Sequence, residues 1–189
     1  MSSVVHPGAV LGEGSQMGEG CVVAEGVTIG SGCRIGHHVV IHDGTRIGDR
    51  VRIDDHATLG KRPMRAANSA TTREQELPPL AVGEDCIVGT GVVLYRGATI
   101  EPRVLMADLC TVRENVSIGR GTIVGRGVTV ENFCSIGRYC KLESESYLCA
   151  YSMLEDRVFI APGVVTSNDN FVGRTQERLR TRHFFPMAP

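Results

Sequence analysis

The chain has no tryptophan, and aromatic residues make up only 5 % of its 189 positions. A core of broad layers filled by large rings is therefore excluded, and a narrow interior of aliphatic side chains is favoured. No uninterrupted apolar run reaches the length of a membrane-spanning helix, so no membrane partner is expected. The start, Met1-Ser2-Ser3-Val4-Val5-His6-Pro7, has neither a basic leader nor a long apolar stretch, which predicts a cytoplasmic protein. Charge of one sign is also missing. Twenty Lys and Arg face twenty-one Asp and Glu, a net charge of −1, so no broad positive field exists to hold nucleic acid. The seven cysteines lack the spacing of a disulfide framework or a paired metal-binding motif.

What is abundant is periodicity. From Val5 every sixth residue is aliphatic: Val5, Leu11, Met17, Val23, Ile29, Ile35, Ile41, Ile47, Ile53 and Leu59. The frame resumes at Val82 and runs without exception to Ile160. A period of six matches neither a helix nor simple strand alternation. The fourth residue after each aliphatic is small, from Ala9 and Ser15 onward, and six cysteines (Cys21, Cys33, Cys86, Cys110, Cys134 and Cys140) occupy that slot. Alternating large and small inward positions fill a tapered interior of stacked layers, where thiols are inert core residues. Gly dominates the position after the aliphatic, and a positive φ at the turns is the expected reason. With three hexads per coil, residues 18 apart stack at about 4.8 Å.

The predicted architecture is thus all-β: a parallel β-helix over 1–165 with a protruding loop at 61–79 and an irregular tail over 166–189. The loop carries three prolines, four basic and two acidic residues, none able to fill a core slot. The tail, with a helix-prone stretch at 175–180, is expected to cover the last coil, whose strand edges are otherwise unpaired.

Two sets of residues carry candidate chemistry. His37-x4-His42 resembles two of the three zinc ligands of γ-class carbonic anhydrases, which share this repeat. The upstream candidate for the third ligand, His6, stands two coils from His42, about 10 Å by the stacking ruler, too far for a shared ion. No metal is expected. Glu143 stacks between Gly125 and Ala161, and Glu145 between Gly127 and Gly163. Each carboxylate is expected to stand beside a notch without side chains, able to take a proton from an amine while notch N–H groups hold an oxyanion. Either Glu can be the base.

The frame (LIV)-G-x-x-(small)-x resembles that of the hexapeptide-repeat acyltransferases over residues 4–170. That resemblance implies a left-handed coil, an exception among parallel crossovers, and a homotrimer with sites between subunits. Leu154 to Arg174, LEDRVFIAPGVVTSNDNFVGR, is similar to a segment of bacterial N-acetyltransferases that acylate an amino group on a nucleotide-linked sugar. The likeness implies acetyl-CoA as co-substrate, a nucleotide amino sugar as acceptor, and substrate-binding roles for Asn168, Asp169 and Arg174. It also implies a catalytic group near Glu143 and Glu145, and leaves the coenzyme-binding residues unassigned. Arg62, Arg65, Arg73 and Arg174 are candidate phosphate partners. A zinc lyase and a non-catalytic scaffold are the alternative readings.

Overall fold

In the computed structural model, residues 2–64, 67 and 75–168 are described. They form twenty-four strands of two to four residues, from Val4–Val5 to Phe159–Ile160, in three parallel eight-stranded sheets. Every third strand joins the same sheet, so the chain winds as a left-handed triangular β-helix of eight coils. The first face carries Val4–Val5, the second Val10–Leu11 and the third Gln16–Met17, each followed by the corner of the same number. Residues pair with partners 18 positions on, Val4 with Val22 and Ile118 with Ile136. No helix among the described residues is long and apolar enough to cross a membrane.

The aliphatic slots build the core as expected, and from Val23 to Leu148 every one is buried. The small slot adds a polar ladder inside it. Ser15 Oγ donates to Gly30 O at 2.8 Å and accepts from Cys33 N at 2.9 Å, while Cys33 Sγ reaches Gly48 O at 3.2 Å. A thiol here does the work of a hydroxyl, as Thr122 Oγ1 does to Gly137 O at 2.8 Å, so Ser, Thr and Cys all fit a slot that elsewhere holds Val or Ala. Burial pushes the Cys134 thiol up to about 11 and the Cys110 thiol up to about 12.

Apart from Gly60, which has φ 78°, the glycines after the aliphatic slots correct the expected reason for their position. Gly119, directly after Ile118, does not have positive φ. A Cβ there would lie 2.6 Å from the backbone of Gly137 in the next coil, so Gly is required by close approach. Positive φ falls two residues later, at Gly14, Gly32, His38, Arg50 and on to Gly163. With a bond such as Ser15 N to Gly12 O at 3.3 Å, the regular corners from Gly12 onward are type II turns, which place the left-handed residue third and accommodate Pro102 and Pro162 second.

A second correction concerns the ends. Val5 and Leu11 are 47 % and 45 % exposed, and Met17, Leu154 and Ile160 are partly buried. The register holds, but a terminal coil has a neighbour on one side only. The insertion leaves after Thr58–Lys61, where a bulge between Leu59 and Lys61 sets Lys61 against Tyr95. Across it the stacking offset grows to 35 residues, as between Arg50 and Asp85. The helix-prone stretch at 175–180 lies outside the described residues.

The Ile118→Ala variant should lose about 2–5 kcal/mol, the usual consequence of emptying a buried aliphatic slot, and Val5→Ala under about 1 kcal/mol. Urea unfolding midpoints check this, and equal losses would contradict the register. An aromatic disulfide reagent should leave the cysteines unmodified in the folded protein and titrate all seven after unfolding.

Candidate functional site

Glu143 and Glu145 lie in the turn of the third corner that follows Lys141–Leu142, one coil before the last. Gly125 offers no notch: its Cβ position is filled by the backbone of Leu142, Glu143 and Ser144. Glu145, held at φ 60°, folds its own carboxylate over Gly127, where a Cβ would meet Oε2 at 2.6 Å. It also pairs with Arg126 Nη1 at 2.6 Å. Glu143 makes no ion pair among the described residues. The expected N–H donors are occupied as well: Gly125 N binds Leu142 O at 2.7 Å, Gly127 N binds Asp108 O at 3.0 Å and Gly163 N binds Ser144 O at 3.0 Å.

Other amides at this corner remain open. The second residue of a turn commonly gives its N–H to a side chain one coil above: Glu19 to His37, His37 to Asp55 and Thr90 to Asp108, at 2.7–3.0 Å. Above Arg126 and Ser144 stand Ser144 and Pro162, and neither amide is bonded among the described residues. Glu143, in the same turn as Ser144 and stacked over Gly125, thus lies next to two unbonded main-chain donors one coil apart.

The first corner is built differently. Both departures from the repeat occur here. The insertion is fastened at its base by Arg96, whose Nε donates to Leu77 O at 2.9 Å and whose Nη1 donates to Asp43 O at 2.7 Å. Arg62 pairs with the Asp43 carboxylate at 3.1 Å. On the other side, Asn168 Nδ2 donates to Ala150 O at 2.7 Å. Asp169, Arg174, Arg65 and Arg73 lie outside the described residues.

Between these anchors runs a polar ladder. Arg113 grips Glu114 at two points, 2.8 and 3.1 Å, reaches Glu131 at 3.3 Å, and lies 5.1 Å from the Tyr95 ring centroid, with Lys61 Nζ 5.5 Å from the same centroid. The Glu114 side chain is 2 % exposed and that of Glu131 22 %. Burial opposes the charge on Arg113, but the Glu114 hydrogen bond and both carboxylates raise its pKa. Tyr147 is pushed up by burial and then by the charge of Glu131. The signal was present in the string Arg113-Glu114-Asn115, where a glycine or alanine opens many other turns.

The structure therefore brings Glu143 and Asn168 to opposite edges of the first face, separated by Tyr147–Leu148. The histidines are likewise divided: His37 and His38 sit at the third corner and His42 at the first. His38 stacks on His56 at 5.2 Å. Among the described residues no group of three or more His, Cys, Asp or Glu is arranged to hold a metal ion.

Residues 26–61 match the family model for the bacterial transferase hexapeptide (six repeats), and residues 76–96 the model for the hexapeptide repeat of succinyl-transferase. No curated protein matches the sequence. Among solved structures, a UDP-N-acetylglucosamine acyltransferase from Bacteroides fragilis aligns with TM-score 0.82 at 21 % identity, over 88 % of this chain and 66 % of its own. That from Campylobacter jejuni gives 0.57 at 17 % identity, over 89 % and 71 %. A variant of GDP-perosamine N-acetyltransferase from Caulobacter crescentus, in complex with CoA and GDP-perosamine, gives 0.51 at 23 %, over 71 % and 52 %. The chain spans about two thirds of the first and about half of the last. At these identities the likeness establishes the fold.

His42 should titrate below the ordinary 6.5, because burial lowers its pKa, with Arg62, Lys61 and Arg96 adding to the shift against the opposing charge of Asp43. Its folded pKa is below its unfolded one, so this group's contribution to stability is complete above pH 6.5 and is lost as pH falls. Imidazole NMR titration checks the position, and His42→Gln should flatten the urea midpoint between pH 7.5 and 5.5.

Proposed function

We propose that this hexapeptide-repeat chain is an acyltransferase that moves an acetyl group from acetyl-CoA to an amino group of a nucleotide-linked amino sugar. The observation that carries the reading is Glu143: a carboxylate with no ion pair among the described residues, next to the open amides of Arg126 and Ser144. It is supported by the sequence likeness at Leu154–Arg174 and by the fold shared with a protein solved with CoA and GDP-perosamine.

The chemistry needs no covalent enzyme intermediate. The acceptor amine attacks the thioester carbonyl, forming the N–C bond, and Glu143 takes the amine proton. The developing oxyanion is met by the amides of Arg126 and Ser144, donors fixed by the coil and needing no reorganisation. The C–S bond then breaks, and the proton held on Glu143 passes to the departing thiolate. Glu145 is the second candidate base, after leaving Arg126. Asn168, Asp169 and Arg174 are assigned to the acceptor. Arg62 and Arg126 are exposed cations, each paired with one carboxylate, and can exchange that partner for a phosphate of either substrate. The active form is a homotrimer, whose neighbouring subunits complete the site, and the acetyl donor places the reaction in the cytoplasm.

Glu143→Gln should lower turnover about 10²- to 10⁴-fold, with the thermal midpoint unchanged and partial recovery at higher pH, where the acceptor amine is already deprotonated. Glu145→Gln should lose less. Acetylation at wild-type rates by both variants, singly and together, would remove the carboxylates from the mechanism.

A further inference from the structure

The polar ladder at the first corner has no structural necessity. Residues in the second position of other turns, Glu13, Glu19, Asp49, Asp108 and Arg126, are exposed, and the coil closes there without burying a charge. Glu114 in that position is buried and gripped at two points by Arg113. A buried pair of this kind adds little stability over apolar packing, whereas it fixes the group it holds. What it fixes is Arg113, and through the 3.3 Å contact Glu131, on the outward side of the first face. In the same turn, Asn115 Nδ2 is a buried donor without an acceptor among the described residues, a group that costs stability unless a partner or water meets it.

The neighbouring outward column is unusual too. Thr111, Thr129 and Tyr147 are register partners on consecutive coils, all partly buried. The backbones of three hydroxyl-bearing residues therefore stand about 4.8 Å apart, with the Tyr147 hydroxyl at the far end of its ring, in the column next to Arg113 and Glu131. The third face carries Leu105, Ile123 and Lys141 at the corresponding places, and the second face carries exposed Thr99, Ser117 and Ser135 with no clamped Arg and Glu beside them. Arg113 and Lys61, which share the Tyr95 ring, balance Glu114 and Glu131, and this neutral set of donors and acceptors suits the hydroxyls of an uncharged ring.

We infer that Thr111, Thr129, Tyr147, Arg113 and Glu131 form the subsite for the pyranose ring of the acceptor, with ring hydroxyls bonded to Glu131 and Arg113. The inference rests on the acyl-transfer reading above and names where on the first face the sugar lies. Glu143, four residues before Tyr147, borders the subsite on one side. Asn168 and the base of the insertion border it on the other, leaving the nucleotide to the cationic residues beyond.

The test uses the full chain with acetyl-CoA and two acceptors, UDP-glucosamine and GDP-perosamine, together with calorimetric binding of each acceptor alone. Glu131→Gln and Arg113→Lys should raise the acceptor KM and weaken its direct binding about 10- to 100-fold, the usual effect of losing a hydrogen bond to a charged group. Turnover at saturation and KM for acetyl-CoA should stay near wild type, the opposite split from Glu143→Gln. Thr129→Val, partly exposed and nearly isosteric, should show a smaller rise with unchanged thermal stability. Wild-type acceptor KM and binding in both Glu131→Gln and Thr129→Val would overturn the subsite while leaving the acyl-transfer reading in place. Acceptor binding that is lost in Glu131→Gln, in a protein that transfers no acetyl group, would keep the subsite and overturn the reaction. Failure of the wild-type chain to bind either acceptor would overturn the subsite.

Discussion

One hydrogen-bonding rule governs this molecule: each strand must bond the strand one coil above and one coil below, in register. Bonds such as Gly119 N to Ile136 O at 2.8 Å and Ser117 N to Cys134 O at 3.1 Å hold neighbouring coils together along each face. Since a coil has 18 residues, whatever stands at a position is stacked on its own counterparts, and a choice of side chain is tested against the same two neighbours each time. This makes the aliphatic slot aliphatic, the third turn residue left-handed, and the residue after the aliphatic glycine wherever the backbone of the next coil comes close. It also leaves the first and last coils with half of their partners, which is why Val5 is exposed although its slot is a core slot.

The same stacking organises polar groups. At the second and third corners, carboxylates reach down to the amide one coil below, as Asp49 does to Ser31, Asp108 to Thr90 and Asp156 to Arg138. These contacts are solvent-exposed, and each contributes little by itself. Their importance lies in showing where the ladder stops. Ser144 and Pro162 offer no such carboxylate, and the amides beneath them stay open beside Glu143. The first corner departs in the other direction, drawing Glu114 inward and lining up Tyr95, Arg113 and Glu131. Chemistry on a repeat scaffold belongs to positions that break the repeat, because a position that obeys it already has every partner satisfied.

The two sets of exceptions meet on one face. The third corner supplies the candidate proton acceptor and the first supplies the clamped guanidinium and carboxylate, with the Tyr147 strand between them. A ligand that carries a reactive amine at one end and phosphates at the other can span such a face. The insertion and the tail both leave from its far edge, so additions to the coil gather where the proposed acceptor is held.

The sequence alone determined the coil: a six-residue period leaves one arrangement in which Ile29, Ile35 and Ile41 all face inward, and the three-hexad register follows from it. It also determined that Cys33 or Cys140 would be buried, since each stands in a slot that is otherwise small. It could not assign the glycines, because close backbone approach and left-handed backbone both select glycine, and only the distance from Gly119 to Gly137 separates them. The notch beside Glu143 failed for a related reason: missing side chains say nothing of where the neighbouring backbone runs, and it fills the space beside Gly125. The Arg113, Glu114 and Glu131 ladder was decided by tertiary structure. Alternating charges in a turn read as a solvated surface, and burying Glu114 depends on how the first corner packs beside the insertion, which no local pattern specifies.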